Sequence, residues 1–182
     1  QGGITIAGAF RVCHGMTFVS GTMLGYDLTL SSDNRHKYYE NCTFALASSS
    51  SGASFSFSDT ADACYELKNC KFKCSVAGQQ WWPTGRVIFR DCADPIDSGL
   101  TPTSFINSGS RCQLTMRNLD LSVLAGKTLF GGGGNGIFDA TVQDCKLPTN
   151  ITLVNPANFT NLRQRMRFLR CDSAGHTVRS EY

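Results

Sequence analysis

The chain holds 14 carboxylates and three histidines, and the candidates best spaced to act together lie in one stretch. Asp91, Asp94 and Asp97 lie close together, and Asp120 follows further along. Glycoside hydrolysis needs two carboxylates about 5 to 9.5 Å apart. These acids therefore define the enzyme to be weighed, a polysaccharide hydrolase or lyase. Asp94 and Asp97 flank Pro95 in a segment that reads as a turn, where short acids serve the backbone as often as chemistry. Asp91 stands beside a recurring cysteine and reads as structural. A lyase would want a basic residue among acids. The nearest grouping is Glu66 with Lys68 and Arg90, which cross-strand ion pairs also explain. The histidines are His14, His36 and His176, and none neighbours a Ser or Cys in a nucleophile motif. Gly131 to Gly136 lacks the Lys-Ser/Thr of a phosphate-binding loop. It reads as a loop, or as a place where another backbone comes close. No catalytic residue, metal ligand or cofactor is assigned.

Trp81-Trp82 is the main apolar feature with a surface role in prospect. Strand alternation sends one ring inward and the other outward. The outward ring, with Asp94 and Asp97, is the candidate contact for a glycan or a neighbouring subunit.

The nine cysteines are Cys13, Cys42, Cys64, Cys70, Cys74, Cys92, Cys112, Cys145 and Cys171. An odd number cannot all pair, and no Cys-Xaa-Xaa-Cys spacing suggests a zinc site. Buried free thiols acting as small hydrophobes account for them, which implies folding in a reducing cytosol. Three sequons, at Asn41, Asn150 and Asn158, carry little weight beside that. Charged residues make up 17% of the chain, against roughly 25% in an average domain. Helices need more charge on their wet faces, whereas Gly, Ser, Thr, Asn and Phe suit short strands and turns. The net charge of +3 is scattered, which argues against nucleic acid. Arg163, Arg165, Arg167 and Arg170 fit a solvated strand face. No run approaches the roughly 20 apolar residues of a membrane span. The chain opens at Gln1 without a signal pattern and stops at Tyr182 after a strand-like stretch, so it is expected to be one domain, 1–182, cut from a longer protein.

The elements that would position these residues show in a repeat. Asn41-Cys42-Thr43-Phe44 recurs as Asn69-Cys70-Lys71-Phe72. Looser copies begin at Asp91, Asn118, Asp144 and Arg170, with an upstream copy at Gly15. The anchors Met16, Cys42, Cys70, Cys92, Leu119, Cys145 and Cys171 are separated by 26, 28, 22, 27, 26 and 26 residues. An apolar residue lies three before most anchors (Leu67, Phe89, Met116, Val142, Phe168) and another often two after. The second spacing is strand alternation. The first breaks it by one, which a tight bend explains, because Asn and Asp tolerate the left-handed conformation. Further strands are predicted around Ser54–Ser58, Gln80–Trp82, Ser104–Ile106, Thr128–Phe130 and Ile151–Val154, with Ser48–Gly52 as a loop. The expected fold is all-β, a right-handed parallel β-helix of about seven coils of roughly 26 residues. Cys42, Cys70, Cys92, Leu119, Cys145 and Cys171 would form an inward ladder beside a corner column of Asn41, Asn69 and Asn118.

On the Asn-Cys-Xaa-Phe phrase, the period and the Asn/Asp corners, residues 4 to 173 resemble the pectate-lyase-like parallel β-helix group. The Ser/Gly-rich loops, free cysteines and low charge are most similar to bacteriophage virion solenoids: head decoration proteins, head fibres and tail spikes. The resemblance implies a non-catalytic virion part, often trimeric, in contact with other virion proteins and assembled in the bacterial cytoplasm. The alternative is a tail spike or fibre that binds or cleaves a bacterial surface polysaccharide, and a surface adhesin stands behind both.

Overall fold

The computed structural model describes residues 17–25, 28–30, 36–46, 54–57, 64–97, 99–108, 111–133, 137–155 and 164–172. The chain is a parallel β-solenoid. One long sheet lines up β1 (Thr17–Gly25), β3 (His36–Leu46), β5 (Cys64–Lys68), β8 (Gly85–Cys92), β10 (Cys112–Leu119), β12 (Phe138–Gln143) and β14 (Gln164–Leu169). A second sheet stacks β2 (Leu28–Leu30), β4 (Ser54–Phe57), β7 (Gln80–Pro83), β9 (Ser104–Ser108), β11 (Thr128–Gly133) and β13 (Thr152–Val154). The third side is the shortest. It holds the end of β3, β6 (Lys71–Lys73) and the single bridges Phe72 to Ile96, Asp120 to Lys146 and Lys146 to Asp172. Every described pairing is parallel, and each successive coil adds one strand to each of the two sheets.

The coil count is a correction. Among the described residues about four turns close round all three sides, where about seven coils were expected. Residues 64–155 pass round all three sides almost without interruption, while the outer coils are described only in part. The first anchor is also corrected. Met16 lies outside the described residues, and the register of β1 on β3 sets Gly21 opposite Cys42. The loop expected over 131–136 is strand as far as Gly133, paired with Asn107 and Ser108. There a Cβ added at Gly132 would lie 2.2 Å from Asn107 Oδ1, so the glycine permits the close approach of the neighbouring coil. Ser48–Gly52 lies outside the described residues.

The bend between the long sheet and the third side follows from backbone sterics. Asn41, Asn69, Asp91, Asn118, Asp144 and Arg170 have φ of 55°, 49°, 55°, 52°, 53° and 49°. One residue per coil thus turns left-handed immediately before the anchor. That shift of direction explains the three-residue step. Asn and Asp occupy five of the six positions because their short polar side chains bear this conformation best. Asn69 Nδ2 donates to Asn41 Oδ1 at 2.7 Å, and Asn118 Nδ2 donates to Asp91 Oδ1 at 3.1 Å. Asn118→Val should therefore cost about 2 kcal/mol, from left-handed strain plus a lost hydrogen bond. Asn118→Gly keeps the conformation and should cost less than half as much. Urea unfolding of both variants checks the order, and equal losses would refute the conformational account.

The core runs as columns along the solenoid axis. Tyr39, Leu67, Phe89, Met116 and Val142 are in register and fully buried. Phe72 sits at the centre of an aromatic cluster: its ring lies 4.9 Å from Trp81, 5.1 Å from Phe55 and 5.6 Å from both Phe44 and Phe105. The next coil differs from its neighbours. Its post-anchor position is Asp94, but Ile96 fills the slot beside Phe72. A two-residue extension carries Asp94 to the surface and lets the apolar column continue. Backbone bonds from Phe72 N to Pro95 O and from Asp97 N to Phe72 O hold it there, each 2.9 Å.

Candidate functional site

The anchor residues form one buried column. Register places Leu119 on Cys92 and steps through Cys42, Cys70, Cys145 and Cys171 on either side. All are buried except Cys171, which is half-buried on the terminal described coil. The eight described cysteines are free thiols. Cysteine brings more than size to this column, since its S–H is a weak donor. Cys42, Cys70, Cys145 and Cys171 donate to the carbonyl two residues back, across the bend, at 3.3, 3.4, 3.2 and 3.6 Å. Cys92 donates instead to Cys70 O at 3.2 Å. Burial pushes Cys145 in the column up to about 11 and Cys112, at the start of β10 outside it, up to about 12. These groups stay protonated at neutral pH, and a nucleophile must be a thiolate. The column is therefore suited to packing and carbonyl capping.

Beside this column, at the bend, lies an open groove of about 310 Å³ bordered by Asp91, Asn118, Asp120, Asp144 and Lys146. It brings together acids from three successive coils. The Asn118 amide and the Arg90 guanidinium hold Asp91 below the usual carboxylate range. Partial burial pushes Asp120 upward, but the Ser122 hydroxyl and N–H and the Lys146 ammonium outweigh it and leave it lowered. Arg170, reaching Asp144 with two nitrogens at 2.7 and 2.9 Å, lowers Asp144 with help from Gln143. A glycosidase acid needs the opposite shift, so that it keeps a proton to donate. All three groove acids are instead held ionised, and each bonds a residue of its own or an adjacent coil.

The sequence candidates fall in two places. Asp94 and Asp97 lie on the third side, where they pair with Lys71 at 2.5 Å and Lys73 at 3.7 Å; Asp97 also accepts from Gly99 N. Trp82 points outward from the second sheet and is 39% exposed, while Trp81 is fully buried. Trp82 and the two acids thus belong to different sides of the solenoid. The Glu66, Lys68 and Arg90 group forms ion pairs across coils, Arg90 to Glu66 at 2.6 Å and Lys68 to Glu40 at 2.8 Å. His14, His176, Arg163 and Asn158 lie outside the described residues, as does the side chain of His36. Asn41 is an exposed corner residue, and Asn150 turns left-handed with φ of 64°. Among the described residues no three His, Cys, Asp or Glu side chains are placed to hold a metal ion, and no helix is long and apolar enough to cross a membrane. Sequence reasoning missed Asp144 and Lys146 as groove partners of Asp91 and Asp120. The signal was their common offset of about one coil at the same corner.

The depressed acids predict a one-sided pH response. A lowered folded-state value means stabilisation that is complete above the unfolded value, 3.8 for Asp, and that is lost as pH falls through the folded value. The melting temperature should therefore be unchanged by these groups above about pH 5 and fall below pH 4. Asp144→Asn should flatten that acid limb. An equally steep limb in the variant would contradict the assignment.

No family model, curated protein or solved structure matches this chain.

Proposed function

We propose that this chain is a non-catalytic structural module of a bacteriophage particle, of the head decoration or fibre type. It would belong to the wider pectate-lyase-like solenoid group and self-associate, as a trimer, with other virion proteins as partners. The observation that carries the reading is the use of the wall charges. Glu40–Lys68, Glu66–Arg90, Asp94–Lys71, Asp120–Lys146 and Asp144–Arg170 each join residues about one coil apart. Carboxylates tied across coils clamp a stack and are poorly placed to transfer protons. A rigid rod with a dry, thiol-lined core suits a part assembled in the reducing bacterial cytoplasm and then kept outside it.

The second reading, a tail spike or fibre that engages a bacterial surface glycan, is favoured by one feature, the exposed Trp82 ring. Gold-labelled antibody on purified particles separates the two. Label spread over the head is the expected result. Label confined to the tail tip, with release of reducing ends from host polysaccharide that Asp94→Asn and Asp97→Asn abolish, would overturn the non-catalytic reading.

A further inference from the structure

Among the described residues, the outer face of the long sheet carries more cations than acids. Strand alternation turns Lys68, Arg86, Arg90, Arg117, Arg165 and Arg167 outward on β5, β8, β10 and β14. Against these six, among the described residues, stand four outward acids, Glu40, Glu66, Asp91 and Asp139. Glu40 pairs with Lys68, Glu66 with Arg90 and Asp139 with Arg167. Arg86, Arg117 and Arg165 are exposed and make no direct ion pair among the described residues, although Arg117 helps to hold Asp91 and Asp144 ionised and Arg165 lies opposite Asp139. Register also sets cations side by side. Lys68 lies beside Arg90, and Arg90 beside Arg117, so three cations occupy neighbouring strands in one row. Like charges directly opposite one another destabilise a sheet. On the third side and the bend, Asp94 pairs with Lys71 and Asp120 with Lys146.

We propose that this face is a docking surface for an acidic protein surface. The inference rests on the assembly reading above and names the chemistry of a partner for it. Five of the six cations are Arg, whose planar fork meets carboxylates with two hydrogen bonds and which is enriched at protein interfaces where Lys is depleted. Between them stand uncharged Thr115, Thr141, Gln113 and Gln143, with half-buried Ile88 and exposed Leu169. Of that set the arginines are what an interface enriches, and the uncharged side chains between them suit its polar rim. Single-stranded nucleic acid would want aromatic platforms. The ring described on this face, Tyr38, is bound through its hydroxyl to Glu40 at 3.2 Å.

The test uses labelled poly-L-glutamate as the acidic probe and fluorescence anisotropy as the readout. The intact chain should bind it at low salt and release it as salt rises. Reversing Arg86, Arg117 and Arg165 to Glu should weaken binding at least tenfold. Reversing Lys71, Lys73 and Lys127 to Glu changes net charge equally and should leave binding within about twofold, since those residues lie off the face. The corresponding Gln variants, with thermal melts, separate lost binding from lost folding. No binding, equal loss in both sets, or tighter binding of single-stranded DNA or polygalacturonate would each overturn the proposal. A chain that fails this test but still labels phage heads would leave the structural reading standing.

Discussion

Replacing Cys145 by Asp should destabilise the protein by about 3–5 kcal/mol, the range seen when a buried charge is left without a partner. Cys145 is 1% exposed. It lies between Leu119 and Cys171 in the anchor column, and its thiol faces the Gln143 and Met116 carbonyls at 3.2 and 3.8 Å. A carboxylate placed there meets carbonyl oxygens and apolar side chains, both hostile to negative charge. It would shift its own pKa upward to escape. The penalty should therefore be smallest near pH 4 and grow as pH rises above the unfolded value of about 3.9. Cys145→Ala separates charge from volume. It removes only the sulfur and a weak hydrogen bond and should cost about 1–2 kcal/mol. Urea unfolding of the two variants at two pH values is the measurement. An Asp variant that melts within a degree or two of wild type would place the column on the outside.

Phe72→Ala is the second large effect, about 3–5 kcal/mol by analogy with other buried aromatic truncations. The upper half of that range is expected here. The Phe72 ring touches side chains of three coils, with Phe44 before it, Phe89 and Phe105 after it, and Trp81 and Phe55 across the core. Strands in register cannot easily close the resulting cavity, because moving one coil inward breaks pairing on both sides. Trp82→Ala, one strand away but on the wet face, should stay within about 0.5 kcal/mol. Similar losses for the two variants would mean that β7 is assigned to the wrong face.

What was legible in the sequence was what a stacked coil must repeat. Cys70 and Cys145 stand out because the column repeats an inward apolar side chain once per coil, with Leu119 taking the same place. Asn69 and Asn118 stand out because the bend before the column demands φ near 50°. What escaped was whatever a repeat can vary without breaking the stack. Ile96 does the work of a post-anchor Phe from two residues further on, since a surface extension leaves the inward slot intact. Gly21 is paired with Cys42 but carries no side chain to announce it, and Met16 fits the pattern by type alone. The groove at the bend was only half visible. Asp91 and Asp120 could be named from their spacing, but the cations that keep them ionised become neighbours only when coils stack. Chain spacing likewise conceals the Arg row on the outer face, because Arg90 and Arg117 are adjacent only through strand pairing.

The inward thiol column fixes how the coils of this parallel solenoid stack, and alkylation of the native protein followed by peptide mass spectrometry tests it most directly. Cys64, facing outward on β5, and half-buried Cys171 should be modified first. Cys42, Cys70, Cys92, Cys112 and Cys145 should stay protected until denaturant is added. Rapid modification of Cys70, Cys92 and Cys145 in the folded protein, at the rate of Cys64, would contradict the column, and with it the register on which the groove, the ion-pair ladders and the docking face depend.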